Sequence, residues 1–223
     1  YEKIKAFFQT KRNFSGKKVL ITAGPTYEAI DPVRFIGNHS SGLMGIEIAR
    51  AFADQGADVT LVLGPSNISP NRNKINLIPV TSAKEMYDAV LAFFPKTDIA
   101  VLSAAVADFR PEIVADQKIK KNPDEDSIML KLVKTNDILR TIGSQKKENQ
   151  TIVGFALETE NGLENAKKKL HTKNIDLIVL NEMNESGVGF KTKTNKISII
   201  NKNDEVKEFG LKPKNEVALD VLN

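Results

Sequence analysis

Apolar residues along this chain follow two rhythms. The first is the short continuous run: Val19-Leu20-Ile21, then Asp58 to Leu63, Lys74 to Val80, Asp98 to Leu102, Thr151 to Ala156 and Asp176 to Asn181. Such runs, rich in β-branched residues and bounded by turn residues, read as strands, with those at Val19–Ile21, Asp98–Leu102 and Thr151–Ala156 as buried ones. The second rhythm is helical. Met44, Ile48 and Phe52 fall at i, i+4 and i+8, with Gly45, Ala49 and Ala53 on an adjoining row whose small side chains let a helix lie close to a sheet. Thr81 to Glu85 opens a second helix, with Ser82 as N-cap and Glu85 completing a capping box, and it runs on through Met86, Val90 and Phe93. Asn136-Asp137-Ile138-Leu139 starts a short third one. Asn161 to Lys173 forms a fourth, with Leu163, Ala166 and Leu170 on one stripe and Lys169 and Lys173 a turn apart on the next.

Ser127 to Lys134 alternates and reads as a strand. Lys196–Asn201 and Val206–Phe209 read as a hairpin, and Pro213 to Leu222 as a closing helix. Strands alternating with helices predict an α/β fold: a doubly wound, mostly parallel Rossmann-like sheet with helices on both faces and a C-terminal β-hairpin. Residues 1–16 read as a linker or N-terminal helix ahead of one domain over 17–223.

The first strand, loop and helix, Lys18 to Arg50, organise the rest. Gly24-Pro25-Thr26 ends the strand at a turn, a polar loop follows, and Asn38-His39-Ser40-Ser41-Gly42 leads into the helix. Ser40 or Ser41 is the expected N-cap. A helix N-terminus offers N–H groups and a positive dipole end to an anion. Two readings stand side by side: Ser40, Ser41 and Gly42 hold a phosphate, or they merely cap a packing helix. Neither of the two commonest phosphate motifs is present. There is no GxxxxGK[ST], and Gly24, Gly37, Gly42 and Gly45 are too widely spaced for GxGxxG. The second strand ends in Gly64-Pro65-Ser66, where a dehydrogenase usually places an acid for the ribose.

Ser103 to Phe109 follows the Asp98–Leu102 strand directly, at the end where open α/β sheets bind ligands. Its small residues would let a flat ring approach the backbone, or would simply make a tight corner. Residues 110–126 lack periodicity and carry Lys118-Ile119-Lys120-Lys121; a long loop of this kind is commonly functional, although the lysines alone read as a solvated charge run.

Composition narrows the chemistry. The chain has 223 residues and no cysteine, which excludes disulfides, thiolate zinc sites and cysteine nucleophiles. Its two histidines, His39 and His171, exclude a His-rich metal site. A net charge of +4 is too mild to argue for nucleic acid, and the absence of Trp leaves no stacking ladder. No apolar run approaches the ~20 residues of a membrane span and no signal peptide is visible, so a cytoplasmic location is expected. The first residue is not Met, which fits a piece of a longer polypeptide.

Taken together, ITAGPTYEAIDPVRFIGNHSSGLMG, SAAVADFRP, KIKK, VGFALETE and KNIDLIVLN resemble the phosphopantothenate–cysteine ligase family, over essentially residues 17–223 and in the expected order. In bacteria this is commonly the C-terminal half of a bifunctional coenzyme A biosynthesis flavoprotein. The resemblance implies ligation of L-cysteine to 4′-phosphopantothenate, driven by CTP through an acyl-cytidylate, with Mg²⁺ bridging the phosphates. It implies a homodimer, no flavin on this chain and possible fusion to a flavin-dependent decarboxylase domain. It assigns Asn38 and Arg34 to the acyl substrate with Ala105, and Ser40, Ser41 and Gly42 to phosphate of the nucleotide. Leu102, Ser103, Ala104, Asp108, Asn136, Asp137, Ile138, Leu139, Phe155, Lys169 and Lys173 match cytidine nucleotide positions, and Lys118 matches a flap lysine over the reacting phosphate. Asn136 stands where the family commonly has Pro, and Leu43 where many members have Lys. The competing expectations are an NAD(P)-dependent oxidoreductase on a related fold and a non-catalytic nucleotide-binding domain.

Overall fold

The computed structural model describes residues 13–121, 126–158, 161–182 and 193–223. Twelve strands and five α-helices alternate along them. The runs read from sequence as strands become β1 (Lys18–Ala23), β4 (Asp58–Leu63), β5 (Ile75–Pro79), β6 (Ile99–Leu102), β9 (Thr151–Glu158) and β10 (Leu177–Glu182), of which β5 is a largely exposed edge strand. These six lie parallel, and β11 (Thr194–Asn201) and β12 (Val206–Pro213) extend the sheet antiparallel, in the order β12-β11-β10-β9-β6-β1-β4-β5. The expected hairpin is therefore longer than its sequence pattern suggested, and it continues the main sheet. From β1 the chain winds outward to β4 and β5, then returns to β6 on the other side of β1. The strand order reverses between β1 and β6, and a crevice opens at the carboxyl ends of such a pair.

Pleating sends alternate residues of each strand to opposite layers. Val19, Ile21 and Ala23 face one core, with α1 (Leu43–Asp54) and α5 (Lys214–Leu222); Leu20 faces the other, with α2 (Ala83–Phe93), α3 (Ile138–Gln145) and α4 (Gly162–Thr172). Gly45 permits the close approach of α1 to the sheet. A Cβ there would lie 2.6 Å from Ala23 Cβ and 2.5 Å from Ser103 Oγ. On α4, Ala166 and Leu170 are buried as expected, but Leu163 is exposed, because it stands in the first turn, beyond the sheet.

Several local expectations are corrected. The N-cap of α1 is Gly42 in a left-handed conformation (φ 77°), not a serine; Ser40 Oγ and Ser41 Oγ instead accept from the amides two residues on, of Gly42 and Leu43. Only glycine takes that conformation without a steric penalty. Ser82 does cap α2, accepting from Glu85 N, but Glu85 Oε2 reaches back one residue further, to Thr81 N. Of Ser127 to Lys134 only β8 (Leu132–Lys134) is a strand, pairing with β7 (Phe109–Pro111) outside the main sheet; Ile128, Met129 and Leu130 are exposed, so their alternation faces no core. The polar loop after β1 holds a small hairpin, β2 (Tyr27–Ala29) with β3 (Phe35–Gly37). Residues 1–12 lie outside the described residues, and with them most of the expected linker.

Candidate active site

The carboxyl ends of β1, β6 and β9 support a segment with almost no conformational freedom. Pro25 bridges Ala105, and Ala105 N donates to Gly24 O at 2.9 Å. Ser103 Oγ donates to Thr22 O at 2.8 Å, and Ala107 N donates to the Thr26 hydroxyl at 3.0 Å. Thr135 Oγ1 donates to Ala107 O at 2.7 Å. Thr22 and Thr26 are buried, so each hydroxyl spends its hydrogen bonds on fixing backbone rather than on solvent. Asn38 closes the set, donating from Nδ2 to Val106 O at 3.0 Å and to Ala105 O at 3.4 Å.

This rigid segment divides two cavities. The first, of about 500 Å³, is lined by Leu102, Ala104, Asp108, Asn136 to Leu139, Phe155, Lys169 and Lys173. The second, of about 570 Å³, is lined by Asn38 to Met44, Ser103 to Val106, Asp108, Phe155 and Lys169. Ala104, Val106, Asp108, Phe155 and Lys169 belong to both, so the cavities share a wall. A recess of about 610 Å³ at the amino ends of β1, β4 and β5 is larger, but it holds none of the residues singled out from sequence.

The cationic side of the first cavity is built by α4. Lys169 Nζ donates to Phe155 O at 2.9 Å. Burial pushes the Lys169 ammonium below its ordinary range, helped by Lys173 and opposed by the carboxylates of Glu158, Asp137 and Asp108. An anion arriving there would restore the charged form. Lys173 pairs with Asp137, which also caps α3 by accepting from Arg140 N at 2.9 Å. Burial pushes the Asp137 carboxyl up, but Lys173, the Arg140 amide and the charge of Lys169 hold it below its usual range. One carboxylate thus joins the start of α3 to the end of α4 at the rim.

Of the residues singled out from sequence, sixteen line one cavity or both; Arg34 and Lys118 do not. Arg34 instead pairs with Asp31, which is only 2% exposed, and donates from Nη2 to Ile119 O at 2.8 Å. Ile119 N donates to Asp31 Oδ2 at 3.1 Å. The Arg34 guanidinium holds the Asp31 carboxyl far below the carboxylate range against the opposing effect of burial, helped by the amides of Val33, Ile119 and Arg34. Lys118 itself is exposed. Sequence reading missed Asn181, Asn195 and Lys214, all on the second cavity. The available signal was phase: Asn181 continues the row of Leu177 and Val179, and Asn195 that of Ile197 and Ile199, rows that are otherwise apolar. Among the described residues, no group of three or more His, Asp or Glu side chains could hold a metal ion, and no helix is long and apolar enough to cross a membrane.

Comparison with known proteins follows the same lines. A cysteine/cysteine sulfinic acid decarboxylase from an unknown prokaryotic organism is 50% identical over 213 residues, covering 96% of this chain and 59% of that protein. The coenzyme A biosynthesis bifunctional protein CoaBC of Haemophilus influenzae is 48% identical over 217 residues, covering 97% of this chain and 53% of its own length. The chain thus spans little more than half of these relatives. The crystal structure of the C-terminal domain of a coenzyme A biosynthesis bifunctional protein CoaBC superposes with a TM-score of 0.79 at 40% identity, covering 94% of this chain and 93% of that one. The DNA/pantothenate metabolism flavoprotein C-terminal domain matches residues 14–223, and the chain belongs to that family.

Proposed function

We propose that this chain ligates L-cysteine to 4′-phosphopantothenate, using CTP. The observation that carries the reading is the divided site. Two compartments, one with a lysine-lined side, meet at one wall, which suits a nucleotide on one side and an acyl substrate on the other. The relatives named for coenzyme A biosynthesis support it.

In the first step the substrate carboxylate oxygen attacks the α-phosphorus of CTP, a P–O bond forms and pyrophosphate leaves. In the second, the amine of cysteine attacks the acyl carbon, an amide forms, and CMP leaves as the nitrogen loses its proton. Neither step needs a protein nucleophile, which suits a chain without cysteine. The protein's work is positioning and charge stabilisation. Lys169 and Lys173 face the phosphates, Asp108 and the Ala104–Val106 backbone read the cytidine, and Asn38 orients the acyl group. Ser40, Ser41 and the start of α1 lie in the second compartment, so the phosphate they suit is the one on the acyl substrate. Mg²⁺ is expected to arrive on the nucleotide phosphates and to neutralise their charge when bound.

Pyrophosphate release that requires both CTP and phosphopantothenate, followed by cysteine-dependent product, is the test. A compartment that hydrogen-bonds a pyrimidine edge should give CTP a kcat/KM about 10²-fold or more above ATP. Equal values would remove the nucleotide assignment. Carbon dioxide released from cysteine without CTP would favour instead the activity named for the decarboxylase relative.

A homodimer completes the proposal. Val33, Phe35, Phe109, Ile113, Ile128 and Met129 are exposed on the β2–β3 and β7–β8 hairpins and the loop between β7 and β8, each at 46% or more. Apolar exposure concentrated in this way marks an interaction surface. Sedimentation should show a dimer that Phe35→Glu and Met129→Glu together convert to monomer; a monomer in the unmutated protein would dismiss it.

A further inference from the structure

The wall between the two compartments ends in Asp108, which lines both of them. Asp108 is exposed, and among the described residues its carboxylate has no hydrogen-bond or ion-pair partner. No neighbouring side chain fixes its direction, so the backbone that carries it must. Ala107, one residue earlier, is 4% exposed, and both of its backbone polar groups need partners inside the protein. The fully buried Thr26 accepts from the Ala107 amide at 3.0 Å, and Thr135 Oγ1 donates to the Ala107 carbonyl at 2.7 Å. The amide of Thr135 donates to Asp108 O at 3.0 Å. Thr135 alone therefore holds the peptide on each side of the Asp108 Cα, one with its hydroxyl and the other with its amide.

Strand pairing brings Thr135 there. Phe109 lies opposite Lys134 at the end of the β7–β8 ladder, and Thr135 is the next residue. It is half-buried and lines the first compartment. Its branched Cβ restricts the side chain to few rotamers, which suits a hydroxyl that must keep one direction. Two residues further on, Asp137 caps α3 and pairs with Lys173. One threonine thus joins the wall that carries Asp108 to the rim that carries the lysine at the end of α4.

We propose that Thr135, backed by Thr26, is a positioning residue for nucleotide choice: it aims the Asp108 carboxylate at a donor on the nucleoside. The proposal rests on the ligase reading above. An ionised carboxylate only accepts hydrogen bonds, so the group it meets is an N–H or an O–H, the exocyclic amine of cytosine or a ribose hydroxyl. UTP carries a carbonyl in place of the amine, and 2′-deoxy-CTP lacks one hydroxyl, so these two analogues separate the sources. A threonine that only held the fold together would matter equally for all three nucleotides.

The test is kcat/KM for pyrophosphate release with CTP, UTP and 2′-deoxy-CTP, beside calorimetric affinities for the same nucleotides and for phosphopantothenate. The unmutated protein should favour CTP over one analogue by about 10-fold or more. Thr135→Val keeps the shape and removes the donor. It should weaken CTP by about 10-fold while the disfavoured analogue and phosphopantothenate bind as before, so that the preference collapses. Thr135→Ser, which keeps the hydroxyl on a freer side chain, should recover most of it. In an Asp108→Ala background, Thr135→Val should change the preference no further, because both act through one carboxylate. If Thr135→Val does not fold, Thr26→Ala, which frees the Ala107 amide, carries the same expectations. A folded variant that melts earlier but keeps the unmutated preference overturns the proposal and leaves the ligase reading standing, and so does an unmutated protein that uses all three nucleotides alike. No pyrophosphate release with any nucleotide overturns both.

Discussion

Asn38→Ala should slow ligation by about 10²-fold, the loss that misplacing reactants by an ångström can cause. The melting temperature should barely move. Asn38 is exposed, so its truncation opens no cavity in the core. What it removes is a strap: Nδ2 holds the loop before α1 to the carbonyls of Val106 and Ala105, and those carbonyls lie on the wall between the compartments. Once the strap is cut, the acyl group and the nucleotide are no longer held in register, and reactant alignment is sensitive to shifts of an ångström. Rates normalised to folded protein, alongside a thermal melt, decide the matter. A melt lowered by many degrees with activity per folded molecule intact would make Asn38 a structural residue.

Lys118→Gln is the second large effect, about 10²–10³-fold in turnover, because it removes a charge proposed to meet the α-phosphate as negative charge shifts there. Lys118 is exposed and lines neither compartment. Its neighbour Ile119 is held through both backbone polar groups by the buried Asp31 and its partner Arg34, so the base of the loop is anchored while the Lys118 side chain extends from it. CTP affinity should fall only modestly, since Lys169 and Lys173 remain. Stability should not change, as no buried surface is lost. Near-normal turnover in Lys118→Gln would return Lys118-Ile119-Lys120-Lys121 to a solvated charge run.

The parts of the fold that were legible in the sequence are those whose burial leaves a trace in composition. β1, β4, β6, β9 and β10 lie between two helical layers, so nearly every residue is apolar and the runs stand out. β2, β3, β7 and β8 are three residues each and largely exposed, and buried polar side chains help hold them. Glu28, 4% exposed, accepts from the Ala83 amide at the start of α2, and Asp31 gathers its own turn around it. Such contacts join residues far apart in the chain and have no period to detect. The site divides in the same way. Ser103 to Asp108 could be found because it directly follows a strand, and Asn38 to Gly42 because it precedes a helix. Lys214 looked like any charged residue opening a surface helix, and only the irregular pairing of β11 with β12, beside which its amide donates to Lys193 O, shows why it is buried.

The packing of α1 against α5 has a bearing on synthesis. Ala49, Phe52 and Ala53 share a core with Val217, Ala218 and Val221, which are made about 170 residues later. Every side chain lining the first compartment is in place in the sequence by Lys173, whereas the second still lacks Asn181, Asn195 and Lys214. A growing chain therefore has its first compartment encoded well before its second. At roughly 5–20 residues per second, the apolar surface of α1 that α5 covers waits for seconds after Lys173 is added, open to chaperones and to neighbouring chains.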